Sequence, residues 1–146
     1  IDLAEDEHFT IAANCHSGAE VFNYPWDVWT ERHVDDDWWI DAGTDYASSV
    51  QSLGSPGYFT LCPGACPYPG VTNGSDWYTT SGNRQDFMNW YHGCREVTLE
   101  LADDVEEIRR VIGRDGRHDE TLALVTLIRR HRVALALELA GGLASR

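Results

Sequence analysis

Six consecutive residues, Glu96-Val97-Thr98-Leu99-Glu100-Leu101, constrain this chain more than any other stretch. Polar and apolar residues alternate with period two, the spacing of a β-strand. Side chains along a strand point to opposite faces in turn. Glu96, Thr98 and Glu100 therefore share one face, and Val97, Leu99 and Leu101 the other. Carboxylates on such a strand leave two readings. On a central strand, Glu100 is desolvated and suited to act as a general base. On an edge strand, the polar face is simply solvated. The residues before it read as turn and helix. Asn73-Gly74 marks a turn, and Ser81-Gly82-Asn83 can cap a helix carrying Gln85, Phe87, Met88, Trp90 and Tyr91.

Upstream, Phe9-Thr10-Ile11-Ala12-Ala13-Asn14 reads as a short buried strand, and His16-Ser17-Gly18 as the turn that ends it. In open α/β sheets, ligands gather at the carboxyl ends of strands. Asn23-Tyr24-Pro25-Trp26-Asp27 reads as a loop dense in aromatics. Asp35-Asp36-Asp37 opens a helix, with acids where the helix dipole favours them. Trp38, Trp39, Ala42, Tyr46 and Val50 form its apolar stripe of period 3.6. Gly54-Ser55-Pro56-Gly57 ends that helix, and residues 54–76, rich in Gly and Pro, read as one long loop.

The chain has 146 residues, enough for one domain with a moderate core. Its net charge is −13, which argues against nucleic acid or an anionic membrane as partner. The charge is unevenly spread: net −17 through Glu107 and +4 beyond it. No run is long and apolar enough to span a membrane. The chain opens at Ile1 without a recognisable signal peptide and reads as a processed product or a fragment. Cys62 and Cys66 are spaced to close a tight disulfide in an oxidising compartment, or less simply to join a zinc knuckle. Beyond Ile108, residues 121–140 read as a helix, although Val133-Ala134-Leu135-Ala136-Leu137-Glu138-Leu139 also alternates with period two. Nothing in the sequence speaks to oligomeric state.

Each candidate for chemistry has a plain alternative. A lone His16 at a strand end serves as a metal ligand or as a structural histidine. Tyr78 beside Trp77 suits packing as well as function, and Asp27 after an aromatic loop suits simple solvation. His33-Val34-Asp35-Asp36 has a His-x-x-Asp spacing, but it coincides with a helix start.

Several of these pieces together resemble one family. Ala13-Asn14-Cys15-His16-Ser17-Gly18-Ala19-Glu20-Val21-Phe22-Asn23-Tyr24-Pro25-Trp26-Asp27 is similar to the segment of zinc metallocarboxypeptidases that carries their third zinc ligand. Gly70-Val71-Thr72-Asn73-Gly74, Asp76-Trp77-Tyr78, Arg84-Gln85-Asp86-Phe87 and Cys94-Arg95-Glu96-Val97-Thr98-Leu99-Glu100-Leu101 resemble later segments, in order. The resemblance covers roughly residues 8–102 and points to the carboxypeptidase N/E-like branch, of bacterial type. It implies an α/β fold, part of the family's sandwich with a mixed central β-sheet flanked by helices. Residues 1–102 would be the carboxy-terminal part of a catalytic domain, and residues 103–146 an unmatched helical tail.

Position by position, the resemblance implies His16 as a zinc ligand and Glu100 as the group that activates a zinc-bound water. Tyr78 would close over the peptide terminus. Asp27 and Gln85 would line the pocket for the last side chain, and Ser17 would be a further substrate-binding position. One zinc ion is the implied cofactor, polarising the scissile carbonyl and acidifying the water. Peptide or protein C-termini, with a basic last residue, are the implied substrates, in a secreted or periplasmic setting.

The departures are as specific. The family's other two ligands lie on a His-x-x-Glu motif, and this sequence contains none. The arginines and asparagine that grip the substrate carboxylate also find no match. The expectation is a fragment that lacks part of its metal site and is inactive alone. The competing expectation is a carboxypeptidase-like binding module that has lost its metal. An upstream His-x-x-Glu in the gene would separate the two. His16, Tyr78 and Glu100 are expected to converge on one cavity.

Overall fold

A computed structural model describes residues 2–53, 56–101 and 135–137. Within them a mixed five-stranded sheet runs in the order β3-β2-β4-β1-β5. The strands are β1 (Ile11–Ser17), β2 (Val21–Tyr24), β3 (Val71–Asn73), β4 (Arg95–Leu101) and β5 (Leu135–Leu137). The helices are α1 (Asp2–Glu7), α2 (Asp36–Leu53), α3 (Gly74–Trp77) and α4 (Arg84–His92). The β2–β4 pair is antiparallel, whereas β1–β4, β1–β5 and β2–β3 are parallel. The protein is therefore a mixed α/β structure, as the sequence implied.

β4 is the centre of the described sheet, between β2 and β1. That excludes the solvated-edge reading of its polar face. The faces separate as the alternation requires. Val97 and Leu99 join Phe22, Tyr24, Val71 and the α2 stripe of Trp39, Ala42, Tyr46 and Val50 in one core. The α2 side chains recur at helical spacing, and each fully buried aliphatic or aromatic group contributes about 1.5–3 kcal/mol. Helix and sheet meet closely at Gly43, where an added Cβ would lie 2.8 Å from Val71 Cγ1 and 2.9 Å from Phe22 Cδ1.

Glu96, Thr98 and Glu100 face the other way and are buried too. α4 covers that face with polar groups. Arg84 Nε lies 3.0 Å from Glu96 Oε1, Asn89 Nδ2 donates to the Glu96 carbonyl at 2.8 Å, and Gln85 Oε1 accepts from the Thr98 N–H at 2.7 Å. A buried carboxylate persists only where it is paired and hydrogen-bonded, and α4 supplies that for Glu96.

Three boundaries differ from those read in the sequence. β1 continues through His16 and Ser17, because their partners Glu100 and Leu101 extend the parallel ladder. Residues 54–76 are not one loop: β3 and the start of α3 lie within them, with Val71-Thr72-Asn73 recruited by β2. Leu135–Leu137 is a strand parallel to β1, so the period-two pattern prevails over the helical one at those residues. The rest of the expected helix at 121–140, and most of the tail at 103–146, lie outside the described residues. Cys62 and Cys66 form a disulfide, with Cα atoms 5.6 Å apart. Among the described residues no helix is long and apolar enough to cross a membrane.

Candidate functional site

Parallel pairing of β1 with β4 sets His16 opposite Glu100, both near the carboxyl ends of their strands. His16 Nδ1 is 3.0 Å from Glu100 Oε2. The Glu100 side chain is 6% exposed and that of His16 66%, so a buried carboxylate is bonded to an imidazole that reaches solvent. An ionised carboxylate only accepts, so with Glu100 charged the proton sits on Nδ1 and Nε2 keeps its lone pair. Ser17 is exposed beside them at the end of β1.

The second cluster forms where α4 meets the loop after β2. Asp27 is buried there. Its Oδ1 accepts from Asn23 Nδ2 at 3.3 Å and from Gln85 Nε2 at 3.3 Å. The neighbouring Asn23 Oδ1 is buried without a hydrogen-bond partner among the described residues. The backbone N–H of Asp27 donates to Asp86 Oδ1 at 3.1 Å, and that of Val28 to Asp86 Oδ2 at 3.0 Å. Gly74 closes the cluster, since an added Cβ would meet Asp27 Oδ1 at 1.5 Å and Asn23 Oδ1 at 3.0 Å. Any side chain there would displace the carboxylate.

The Asp27 carboxyl is pushed up to about 7, first by burial and then by the adjacent Asp86, while the Asn23 amide opposes the rise. The loop carrying it is pinned from the far side. Asn73 Nδ2 donates to the Pro25 carbonyl at 2.9 Å, and the N–H groups of Ser75 and Thr80 donate to the carbonyls of Trp26 and Asp27 at 2.9 Å and 3.1 Å.

Tyr78 follows α3 and is 53% exposed. Its phenol is raised above the ordinary value, first by desolvation and then by the charges of Glu100 and Asp27. A cavity of about 400 Å³ opens between α4 and residues 26–29, against Trp26, Trp29, Asp86, Phe87, Trp90 and Tyr91. His16, Tyr78 and Glu100 are not in its wall.

Of the residues singled out in the sequence, the structure joins His16 to Glu100 and Asp27 to Gln85. Asn23, Gly74 and Asp86 were missed. One clue to Asp86 was present: Asn83-x-x-Asp86 has the spacing of a helix cap and its third helical residue. Its partners, more than fifty residues away, leave no mark on local sequence.

The metal implied by the resemblance needs more donors than this. Among the described residues no three His, Cys, Asp or Glu side chains gather as ligands. A catalytic zinc site takes three protein ligands and an open position. His16 is a chemically suitable donor, but the described residues do not make up a zinc site by themselves.

The family model described as zinc carboxypeptidase matches residues 1–112. The chain is 32% identical over 105 residues to carboxypeptidase SOL1 of Arabidopsis thaliana, covering 68% of this chain and 20% of that protein. It is 31% identical over 115 residues to carboxypeptidase D of Mus musculus, covering 70% of this chain and 8% of that protein. It is 32% identical over 123 residues to the carboxypeptidase N catalytic chain of Homo sapiens, covering 70% of this chain and 25% of that protein. The chain thus spans a quarter or less of each of these relatives.

Proposed function

The chain belongs to the zinc carboxypeptidase family, and from that premise we propose that it forms the carboxy-terminal part of a catalytic domain that releases a basic C-terminal residue from peptides. The carboxypeptidase N and carboxypeptidase D relatives support the N/E-like branch. In this reading the described sheet is one portion of the family's sandwich, and residues 103–146 are a tail outside it. His16 supplies one imidazole ligand of the zinc, and the remaining ligands come from outside the described residues. The chain by itself is then inactive. An extracytoplasmic location, secreted or periplasmic, is supported by the Cys62–Cys66 disulfide.

Glu100 is the proton acceptor in this reading. It is buried on the central strand, and among the described residues only the His16 imidazole bonds it, so its second oxygen is available to a water. Tyr78, half exposed just after α3, would lie over a bound peptide terminus in this reading, with Ser17 at the end of β1 as a further substrate contact.

The observation that carries the preference for a basic residue is the buried Asp27 carboxylate, whose bonds from Asn23 and Gln85 both end on Oδ1. A guanidinium or ammonium can donate to Oδ2 and neutralise the aspartate. An apolar side chain would leave that carboxylate without a partner for Oδ2, which costs about 1–3 kcal/mol. The test compares kcat/KM on paired peptides ending in Arg and in Phe, for the full-length protein and its Asp27→Ala variant. The expected result is faster cleavage of the Arg peptide, with the ratio collapsing in the variant. Faster cleavage of the Phe peptide by wild type, or an unchanged ratio in Asp27→Ala, would sink the reading.

A further inference from the structure

We propose that Asp86 is the positioning residue of the Asp27 pocket: its carboxylate holds the backbone of residues 27 and 28 against α4 and so presents the Asp27 side chain to a guest cation in one orientation. The proposal rests on the reading of that pocket given above.

Asp86 is the third residue of α4, and its N–H is capped by Asn83 Oδ1 at 2.8 Å. A carboxylate at this place in a helix ordinarily turns back to the N–H of the capping residue. Here it is diverted across the fold. Oδ1 accepts the Asp27 N–H at 3.1 Å, while Oδ2 lies 3.2 Å from that N–H and accepts the Val28 N–H at 3.0 Å. Hydrogen bonds to an ionised acceptor are about twice as strong as neutral ones. The Asp27 bond is also buried and the Val28 bond partly so, which limits competition from water.

The preceding residue on the same helical turn grips the other half of the same aspartate. Gln85 Nε2 donates to Asp27 Oδ1 at 3.3 Å, and Gln85 is itself fixed through the Thr98 N–H on the central strand. Asp86 thus fixes the main chain of Asp27, Gln85 and Asn23 fix one carboxylate oxygen, and the second oxygen is left for the guest. Without the Asp86 bonds, residues 27 and 28 can rotate, and the Asp27 carboxylate is no longer aimed at the guest. The charge of Asp86 acts in the same sense, since a second carboxylate beside Asp27 favours a cation there.

The test uses Asp86→Asn and Asp86→Ala. In this chain, amide hydrogen exchange at residues 27 and 28 is expected to accelerate at least ~10-fold in Asp86→Ala and by less in Asp86→Asn, which keeps one acceptor. The amides of α4 beyond Phe87 should keep their protection. The Asp27 carboxyl, followed by 13C NMR, should titrate lower in both variants. In the full-length protein, the Arg-to-Phe ratio of kcat/KM should fall about 10-fold in Asp86→Asn, mainly through KM for the Arg peptide. Unchanged exchange at residues 27 and 28, an unmoved Asp27 titration, or loss of protection throughout α4 would each overturn the proposal, the last by making Asp86 merely structural. If Asp86→Ala does not fold, Asp86→Asn decides. A wild type with no preference for Arg would defeat the pocket reading, while exchange and titration still judge the clamp.

Discussion

Glu100 and Asp27 are equally buried, each 5% exposed, yet they are held in opposite ways. Glu100 is delivered by a strand. Its position follows from the register of β4 on β1, and its side chain is bonded to one imidazole that reaches solvent. Asp27 lies in a loop with no ladder to place it. It is fixed by Asn23 and Gln85 at its carboxylate and by Asp86 at its backbone. Equal burial therefore does not mean equal constraint, and the roles proposed above, proton acceptor for Glu100 and charge recognition for Asp27, follow the number of fixing bonds. A proton acceptor needs an uncommitted oxygen and a route to water. A recognition group needs its oxygens aimed.

The largest effect should come at the loosely held end. In the full-length protein, Glu100→Gln is expected to lower kcat by about 10²–10⁴-fold, because the amide keeps the shape but cannot accept the proton. Thermal unfolding of this chain should hardly change. A near-normal kcat would remove Glu100 from the chemistry and erase the contrast.

The tightly held end should show itself in stability against pH. The Asp27 carboxyl is raised from 3.8 to about 7 in the folded chain. Between those values the folded state keeps a proton that the unfolded state has released. Its contribution to stability is therefore complete at low pH and is lost as pH rises towards about 7. Relative to wild type, Asp27→Asn should gain on the order of a few kcal/mol between about pH 4 and 8, read by urea unfolding across that range. Parallel profiles for the two proteins would show that Asp27 is not proton-coupled to folding.

The smallest effect sharpens the boundary of the nest. Asn83→Ala removes the acceptor of the Asp86 N–H and is expected to cost about 1 kcal/mol. The loss should leave the 3.0 Å His16–Glu100 contact in place, so the His16 ring signals in an NMR spectrum should not move. A shift at His16 would mean that the two regions are one mechanical unit.

What was legible in the sequence was local. The α2 stripe, the alternation of β4, the Asn83 cap and the Cys62–Cys66 bridge each depend on residues a few positions apart, so periodicity and spacing were sufficient. The boundaries that slipped depend on distant partners. β3 is three residues in a Gly- and Pro-rich stretch and exists because β2 binds it. His16 and Ser17 are strand because Glu100 and Leu101 lie alongside.

The sequence by itself determined that Glu100 sits on a strand face with Glu96 and Thr98, since side-chain alternation is a property of the chain's own geometry. Only the tertiary structure decided that this face is central and covered, because that depends on α4 bringing Arg84, Gln85 and Asn89 over it. The sequence likewise supplied Asp27 and Asp86 as two acids in two separate segments. Their meeting, with the Asp27 N–H donating to the Asp86 carboxylate, required the fold, because a hydrogen bond across 59 positions is set by packing and leaves no trace in local composition.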